Sequence, residues 1–371
     1  MPISARAAVQ RKIGAAPIIE HVTLDEPAVG EVLVAIKAVG VCHTDMVMRD
    51  GHLPIPRPVV LGHEGAGVII ALGPDVTGLE AGDHVVLSFA YCGHCRSCSD
   101  SAPAYCHDWF ALNFTGARLD GSTSLRDKTG APIHSHIFGQ SSFATHAVVP
   151  ASNAIKVDRA LPLEILGPLG CGIQTGAGAV FNALKVRPQS SVAVIGVGAV
   201  GLSAVMAAKI AGASIIVALD LNMDRVDFAR SIGSTHGYHA EAAGMAGHAA
   251  RAGCPAGFDY IIDTTGIAEV CNAAVPGLAP RGELALVGAY QAGAAIEMDA
   301  TFAMSGGRVI RGVVEGGADP ATFIPELIVH FRQGRFPFDR LIEMFEFADI
   351  AAAIEAGETG KVIKPVLRMP S

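Results

Sequence analysis

The chain has 371 residues, of which half are apolar and 17% are charged, and its formal net charge is −8. This length exceeds the size at which single hydrophobic cores stop growing, so we expect two domains. The acidic balance and the absence of a Lys/Arg run argue against a nucleic-acid partner or an anionic membrane surface, which leaves a small molecule as the expected partner. The first residues, Met1 to Arg6, contain no apolar signal core, so we expect a cytoplasmic chain whose clustered cysteines bind metal.

Short β segments dominate the first 150 residues. Apolar stretches at 31–38, 67–72 and 84–89 are separated by Gly, Pro and Asp turns, and this pattern predicts a compact β-rich domain. Residues 113–136 are polar and Gly-rich, which is typical of a surface excursion.

Four cysteines lie close together in one polar loop, with two, two and seven residues between them: Cys92, Cys95, Cys98 and Cys106. This spacing allows four thiolates to converge on one tetrahedral ion, and four thiolates close a structural zinc site. An iron-sulfur cluster is the alternative, but the usual run continues with three residues, a cysteine and a proline, whereas Tyr105 and Cys106 end this loop. Of the remaining cysteines, Cys254 and Cys271 are predicted to be free, partly buried thiols.

From about residue 171, apolar strands alternate with Ala-rich helical stretches, which predicts βαβ units and a parallel sheet. We expect strands at 191–195, 215–219, 260–263, 284–287 and 309–313, and helices at 200–211 and 225–232. The uncharged stretch 192–208 is too short and too rich in glycine for a membrane helix. The proline-containing tail is expected to return to the first domain.

A glycine-rich turn, GVGAVG at 196–201, follows the first of these strands and opens a helix. Its glycines Gly196, Gly198 and Gly201 allow the backbone to approach a pyrophosphate at the helix N-terminus. Asp220 ends the next strand, 24 residues after Gly196, where a carboxylate accepts hydrogen bonds from the adenosine ribose and repels a 2′-phosphate. The pattern therefore favours NAD over NADP, although the nearby Arg225 could pair with that phosphate.

Together with these features, GVCHTD at 40–45 and GHEGAG at 62–67 resemble the zinc-containing alcohol dehydrogenases of the medium-chain dehydrogenase/reductase superfamily. Within that family the chain is most similar to bacterial aryl-alcohol dehydrogenases, in FGQSSFATHAVV from Phe138 and LGPLGCGIQTGAGAV from Leu166. The resemblance implies an α/β fold with a β-rich GroES-like catalytic domain at 1–172 and 314–371. It also implies a Rossmann doubly wound parallel-sheet domain at 173–313 that binds NAD, and a homodimer or homotetramer.

Residue by residue, the resemblance implies that Cys42, His63 and Cys171 bind a catalytic zinc, giving two Zn²⁺ ions per chain. Glu64 would be an acid close to that metal. Asp45 would hold the second ring nitrogen of His63, and Thr44 would take the proton of the alcohol.

The cofactor would be bound by residues from both predicted domains. His43 stands where many relatives carry Arg and would face the pyrophosphate, with Lys364 assisting. The full predicted cofactor set is His43, Thr175, Gly196, Gly198, Val200, Gly201, Asp220, Arg225, Val287 and Lys364.

The route by which the proton leaves the site differs from that of many relatives. Those relatives pass the proton onward through a histidine at the position of Val47, so the proton relay is shortened here. Whether His52 replaces that histidine stays open.

The leading hypothesis is a zinc-dependent, NAD-linked, reversible oxidation of primary aromatic alcohols to aldehydes. The resemblance places Ile137 and Phe138 near the substrate channel, although Phe138 could equally be plain core. One alternative is a dehydrogenase of allylic terpene alcohols such as geraniol. Another, from a different class, is a non-catalytic dinucleotide-binding partner protein.

Overall fold

The computed structural model describes residues 3–240 and 244–370. The chain divides into two compact units. Unit 1 comprises Met1–Cys171, Asp319–Pro325 and Asp339–Ser371, and unit 2 comprises Gly172–Ala318 and Glu326–Phe338. The predicted domain boundaries at 172 and 313 stay a prediction.

Regular elements alternate along the described residues. The strands are β1 (Ile3–Gln10), β2 (Ile18–Leu24), β3 (Glu31–Gly40), β4 (Val59–Val60), β5 (Gly65–Leu72), β6 (His84–Leu87), β7 (Leu125–Arg126), β8 (Pro132–Ile133), β9 (His146–Pro150), β10 (Ala154–Val157), β11 (Ser191–Ile195), β12 (Ile215–Asp220), β13 (His236–His239), β14 (Phe258–Asp263), β15 (Leu278–Leu286), β16 (Val309–Gly312), β17 (Ile342–Glu346) and β18 (Lys364–Arg368). The α-helices are α1 (His43–Arg49), α2 (Arg96–Ser99), α3 (Trp109–Asn113), α4 (Gly172–Gly178), α5 (Ala199–Ile210), α6 (Met223–Ile232), α7 (Met245–Arg251), α8 (Ala268–Ala274), α9 (Ala300–Gly306), α10 (Pro320–Arg332) and α11 (Ile350–Glu358).

Unit 1 is built from two sheets. One has five strands in the order β4-β1-β2-β7-β8, and the other has seven, in the order β10-β6-β5-β3-β18-β17 with β9 also paired to β3. The central strand β3 is almost wholly buried, because it carries apolar residues on both faces, and the core of the unit packs around it. The C-terminal strand β18 pairs antiparallel with β3, so the end of the chain belongs to the same sheet as the first β segments.

Unit 2 contains one six-stranded sheet in the order β13-β12-β11-β14-β15-β16. All of its strand pairs are parallel. Numbered from β11, this is the doubly wound order 3-2-1-4-5-6, in which ligands bind at the carboxyl ends of the strands where the order reverses. The prediction of a β-rich part and a doubly wound parallel sheet is therefore confirmed.

Several predicted bounds differ from the observed ones. Strand β15 begins at Leu278 rather than at 284, because Leu278 already pairs with Phe258 before a register shift in the ladder. Helix α6 begins at Met223 rather than at 225, because the Asn222 side chain accepts hydrogen bonds from the first-turn amides and caps the helix. Cys254 and Cys271 are buried rather than partly buried. Among the described residues, no helix has the length and apolar character needed to cross a bilayer.

A buried ion pair joins the polar segment 113–136 to β3, within unit 1. Arg118 Nε and Nη2 donate to the two carboxylate oxygens of Glu31, at 2.6 and 2.9 Å, and the Glu31 side chain is only 9% exposed. Burial alone would raise the pKa of Glu31, but hydrogen bonds from Arg118 and from the Ala28 amide lower it below its usual value. A second pair in the same excursion, Arg126 with Asp25, is about 40% exposed on both sides.

The substitution Arg118→Ala is expected to lower the free energy of unfolding by about 2 to 3 kcal/mol at pH 7, because it leaves a buried carboxylate unpaired. The folded-state pKa of Glu31 is depressed, so this contribution is present above the unfolded pKa of about 4.3 and disappears as the pH falls through the folded value. Urea unfolding at pH 7 and at pH 3 measures the difference. Arg126→Ala is the matched control and should cost less than about 1 kcal/mol; equal losses for the two variants would refute the assignment.

Candidate active site and metal centres

Three potential metal ligands converge in unit 1 from separate parts of the chain. Cys42 immediately precedes α1, His63 lies between β4 and β5, and Cys171 is the last residue of the unit's first segment. Their ligand atoms all lie within 4.8 Å of one another. His63 is fully buried and Cys171 is buried, so the group lies largely inside the protein.

The carboxylate of Asp45 organises this group. Its Oδ1 accepts hydrogen bonds from Nδ1 of His63, at 2.9 Å, and from the backbone N–H of Gly62, also at 2.9 Å. Its Oδ2 accepts the backbone N–H of Cys42 at 3.1 Å. Because a carboxylate can only accept a hydrogen bond, Nδ1 of His63 must donate and therefore carries the proton of the imidazole. Nε2 is then left to face a ligand.

The three side chains fit a divalent zinc ion. Nε2 of His63 is buried and has no hydrogen-bond partner among residues 3–240 and 244–370, an arrangement that a metal bond relieves. A hydrogen bond with Cys171, together with the His63 side chain, holds the pKa of Cys42 well below its usual value, which favours the thiolate that a metal requires. Two thiolates and one imidazole form a ligand set of catalytic zinc sites, which keep a fourth position open.

Glu64 and Lys364 form a buried ion pair beside this group. Nζ of Lys364 lies 2.9 Å from both carboxylate oxygens of Glu64 and donates to the backbone oxygen of Val41 at 3.2 Å. Burial alone would lower the pKa of Lys364, but the Glu64 carboxylate raises it above its usual value. Lys364 therefore directs its ammonium at partners inside unit 1, so the predicted pyrophosphate contact would require it to leave Glu64.

The four-cysteine loop brings its four sulfur atoms within 4.8 Å of one another. The backbone amides of Cys92 and Cys95 donate to sulfur atoms of the loop at 3.3 Å. A hydrogen bond from the His107 backbone lowers the pKa of Cys95 to about 6, whereas burial raises that of Cys98 to about 12. Backbone amides that point at sulfur stabilise thiolates, so the loop fits a tetrahedral zinc ion closed by protein ligands.

The glycine-rich turn of unit 2 has the geometry of a dinucleotide-binding turn. Gly196 has a φ of +81°, which favours glycine, and a Cβ at Gly201 would overlap the backbone oxygen of Gly196. Gly198 is the N-cap of α5, and a Cβ there would meet nothing within 4 Å. The turn therefore packs tightly at its two ends and leaves space in front of the helix.

A cavity of about 320 Å³ lies next to this turn, and Gly196 and Asp220 are both on its wall. Asp220 is held in place by the backbone amides of Val197 and Asn222, at 2.8 and 2.9 Å. Other lining residues were missed by the sequence analysis: Ala240, Met245, His248, Thr265, Ile267 and Val270. The signal that could have found some of them is their position just after the carboxyl end of β14.

The remaining predicted site residues have the following places. Thr44 and the exposed His43 lie in the first turn of α1, directly after Cys42. The others lie in unit 2, where Thr175 donates to Glu315 at 3.3 Å and the Val287 amide donates to the Asp263 backbone oxygen at 2.9 Å. Val200 is in the first turn of α5 and Arg225 in the first turn of α6.

Comparisons with known proteins agree with this architecture. Residues 28–159 match the alcohol dehydrogenase GroES-like domain, and residues 199–329 match the zinc-binding dehydrogenase model. A geraniol dehydrogenase from Castellaniella defragrans is 46% identical over 366 residues, which cover 98% of each chain. The benzyl alcohol dehydrogenase structure from Acinetobacter calcoaceticus has a TM-score of 0.95 at 43% identity and covers 99% of this chain and 100% of that chain. An alcohol dehydrogenase zinc-binding domain protein from Burkholderia ambifaria has a TM-score of 0.98 at 48% identity, with 100% coverage of both chains.

The chain belongs to the zinc-containing alcohol dehydrogenases of the medium-chain dehydrogenase/reductase superfamily. The predicted family and the GroES-like character of unit 1 are thereby confirmed. Membership of this family supports an alcohol dehydrogenase activity that uses zinc and a nicotinamide cofactor.

Replacing one cysteine of the loop should remove its metal and weaken the fold. Cys98→Ser is expected to lower the zinc content by one ion per chain and to reduce the melting temperature by several degrees, because metal binding contributes folding free energy. Elemental analysis and calorimetry measure the two effects. The control is Cys254→Ser, a buried cysteine outside both metal groups, which should leave the zinc content unchanged. An unaltered zinc content in Cys98→Ser would show that the loop is not a closed site.

Proposed function

We propose that this protein catalyses the reversible, NAD-dependent oxidation of primary aromatic alcohols, of the benzyl alcohol type, to aldehydes, with one catalytic and one structural zinc ion per chain. The observation that carries the proposal is the convergence of Cys42, His63 and Cys171 within 4.8 Å, with Nε2 of His63 buried and without a hydrogen-bond partner in the described chain. A ligand set of this kind suits a reacting oxygen in the fourth position.

When bound, zinc supplies a Lewis acid that stabilises negative charge on the alcohol oxygen, and the nicotinamide ring supplies the hydride acceptor. The chain contributes the fixed geometry. Asp45 orients the imidazole of His63, and the Glu64–Lys364 pair places a balanced charge beside the two thiolates. Fixing the ligands before the substrate arrives reduces the reorganisation that the reaction would otherwise require.

Proton removal is assigned to Thr44. Its hydroxyl lies two residues after Cys42, in the first turn of α1, so it belongs to the same rigid segment as a metal ligand. Val47, on the same helix, cannot carry a proton onward. Thr44 is therefore proposed to pass the proton on without help from position 47, with solvent or the exposed His52 as the acceptor.

The choice of substrate rests on the relatives and on the apolar surroundings of the site. Phe138 stacks on the imidazole of His63, with ring centroids 4.4 Å apart, and Ile137 is fully buried next to it. An aromatic alcohol is the first candidate, supported by the likeness to the benzyl alcohol dehydrogenase. An allylic terpene alcohol is the second, supported by the likeness to the geraniol dehydrogenase. Both alcohols carry an unsaturated carbon next to the carbinol carbon, which stabilises the product aldehyde by conjugation.

Initial rates of NADH formation from benzyl alcohol and from geraniol test the proposal. A kcat/KM for benzyl alcohol at least ten times that for geraniol supports the first candidate, and the reverse ratio supports the second. Turnover of neither alcohol by zinc-loaded protein would favour the non-catalytic alternative.

The substitution Cys42→Ala should abolish turnover while leaving cofactor binding intact. Loss of the catalytic metal is expected to reduce kcat by at least about 10³-fold, which corresponds to about 4 kcal/mol. NADH titration followed by its fluorescence should give a dissociation constant within about twofold of the wild-type value, because the predicted nucleotide contacts lie mostly in unit 2. Loss of NADH binding together with turnover would contradict this division of roles.

Asp220 is proposed to select NAD by accepting hydrogen bonds from the ribose hydroxyls. Asp220→Gly should raise the ratio of kcat/KM for NADP to that for NAD by about tenfold or more, because it removes the repulsion of a 2′-phosphate. The matched control is Asp224→Asn, an exposed carboxylate in the first turn of α6, which should leave the ratio unchanged. If the ratio of kcat/KM for NADP to that for NAD is unchanged in Asp220→Gly, Asp220 does not bind the ribose hydroxyls.

A further inference from the structure

The segment from His136 to Phe143 wraps around the metal-ligand candidate His63. The ring of Phe138 lies flat against the imidazole, with a centroid distance of 4.4 Å and an interplanar angle of 19°. The side-chain amide of Gln140 binds the backbone at His63 and just after it, donating to the oxygen of His63 at 2.9 Å and accepting from the amide of Gly65 at 3.1 Å. His63 is therefore held along its backbone and across one face of its ring.

The backbone of this segment adopts conformations that side chains disfavour. His136, Phe138 and Ser141 have φ values of 65°, 51° and 50°, in the left-handed region that bulky residues rarely occupy. The strained position of Phe138 is fixed by Asn153, whose Nδ2 donates to the Phe138 backbone oxygen at 3.0 Å. Strain of this kind persists only where the surroundings impose it, and it gathers at functional sites.

An aromatic cluster joins Phe138 to the four-cysteine loop. Trp109 meets Phe138 edge to face, at 6.1 Å and 89°, and Phe114 does so at 5.1 Å and 73°. Trp109 begins α3, and its amide donates to the backbone oxygen of Cys106 at 3.1 Å. A backbone hydrogen bond from Trp109 to Cys106, followed by the ring contacts of Trp109 and Phe138, therefore connects the cysteine loop to the ring of His63.

Asn113, the last residue of α3, fixes this helix to the segment that precedes the cysteine loop. Its fully buried amide accepts from the backbone N–H of Ala90 at 2.9 Å and donates to the Ala90 oxygen at 3.0 Å. Ala90 lies two residues before Cys92, so both ends of the cysteine loop are attached to α3, one through Trp109 at its start and the other through Asn113 at its end. Displacement of the loop would consequently displace Trp109 and the ring packed against it.

We propose that Phe138 is a positioning residue for His63, and that the four-cysteine loop fixes Phe138 through Trp109 and Phe114, so that metal binding in the loop strengthens metal binding at Cys42, His63 and Cys171. The inference rests on the proposed function, which places zinc at both groups. Asp45 fixes the tautomer of the imidazole, whereas Phe138 fixes the plane of the ring. Residues that orient a metal ligand typically change metal affinity by about 10- to 100-fold when they are replaced.

The first test measures the zinc affinity of the three-ligand site by competition with a chromophoric chelator. The zinc-release phase that disappears in Cys42→Ser identifies this site. In that phase, Phe138→Ala is expected to weaken zinc binding by about 10- to 100-fold, Phe138→Leu by a smaller factor, and Phe138→Tyr, which keeps the planar ring, by less than about twofold. The matched control is Phe347→Leu, a buried phenylalanine of the same unit and core, which should leave the zinc affinity unchanged.

The second test addresses the coupling between the two metal groups. Cys98→Ser alone is expected to weaken zinc binding at the three-ligand site by several-fold. When it is added to Phe138→Ala, it should cause no further loss of zinc affinity at that site. Trp109 is the only tryptophan in the sequence, so tryptophan fluorescence reports the aromatic cluster directly. In the Cys42→Ser variant only the cysteine loop is expected to hold zinc, and removal of that zinc should shift the wavelength of Trp109 emission. Independent, multiplicative losses in the double variant would overturn the coupling.

The outcomes separate this inference from the proposed function. Wild-type protein that shows no zinc phase dependent on Cys42 would overturn the proposed function itself. A normal Cys42-dependent phase that is unchanged in Phe138→Ala and Phe138→Leu, or equally weakened in Phe347→Leu, would overturn only the role of Phe138. Thermal melting of each variant, compared with Phe347→Leu, separates loss of metal affinity from loss of folding.

Discussion

The candidate site depends on one buried carboxylate. Asp45 is fully buried, and it accepts hydrogen bonds from two backbone amides and one ring nitrogen. One amide belongs to Cys42, three residues before it, and the other two donors belong to Gly62 and His63, 17 and 18 residues after it. A charge in such a position is tolerated only when its oxygens are paired. Because its partners are the amide of Cys42, the amide of Gly62 and the ring of His63, the same bonds that stabilise the carboxylate also set the spacing of two ligands.

The two metal groups differ in how far their sequence reveals them. In the cysteine loop the ligands and the amides that point at sulfur all come from one short segment, so the spacing alone predicted a site. Cys42, His63 and Cys171 are brought together by separate elements, and only the resemblance to a family of known fold indicated them. The ring contact with Phe138 had no signal in the sequence, because it depends on a left-handed backbone that propensities do not predict.

Some parts of the fold could likewise be predicted from the sequence and others could not. The alternation of apolar strands and glycine-punctuated helices predicted the parallel sheet of unit 2, and the structure adds the order of its strands. The early part of β15 was missed because Pro280 and Gly282 resemble a turn, whereas the ladder accommodates them through a register shift. The pairing of Glu31 with Arg118, 87 residues later, could not be predicted, since long-range partners leave no local pattern.

The ion pair of Glu64 and Lys364 also restricts how this enzyme can be redesigned. Glu64 fills the space in front of Gly40, where a Cβ would overlap its Oε2 atom, and Lys364 lies at the start of β18, the strand that pairs with β3 at Gly40. Mutagenesis libraries that vary position 40, 64 or 364 singly would leave a buried charge without its counterion or displace the Glu64 carboxylate from its place in front of Gly40. Compatible sequences at these positions should therefore change as a set, and libraries aimed at new substrates are better directed to other walls of the site.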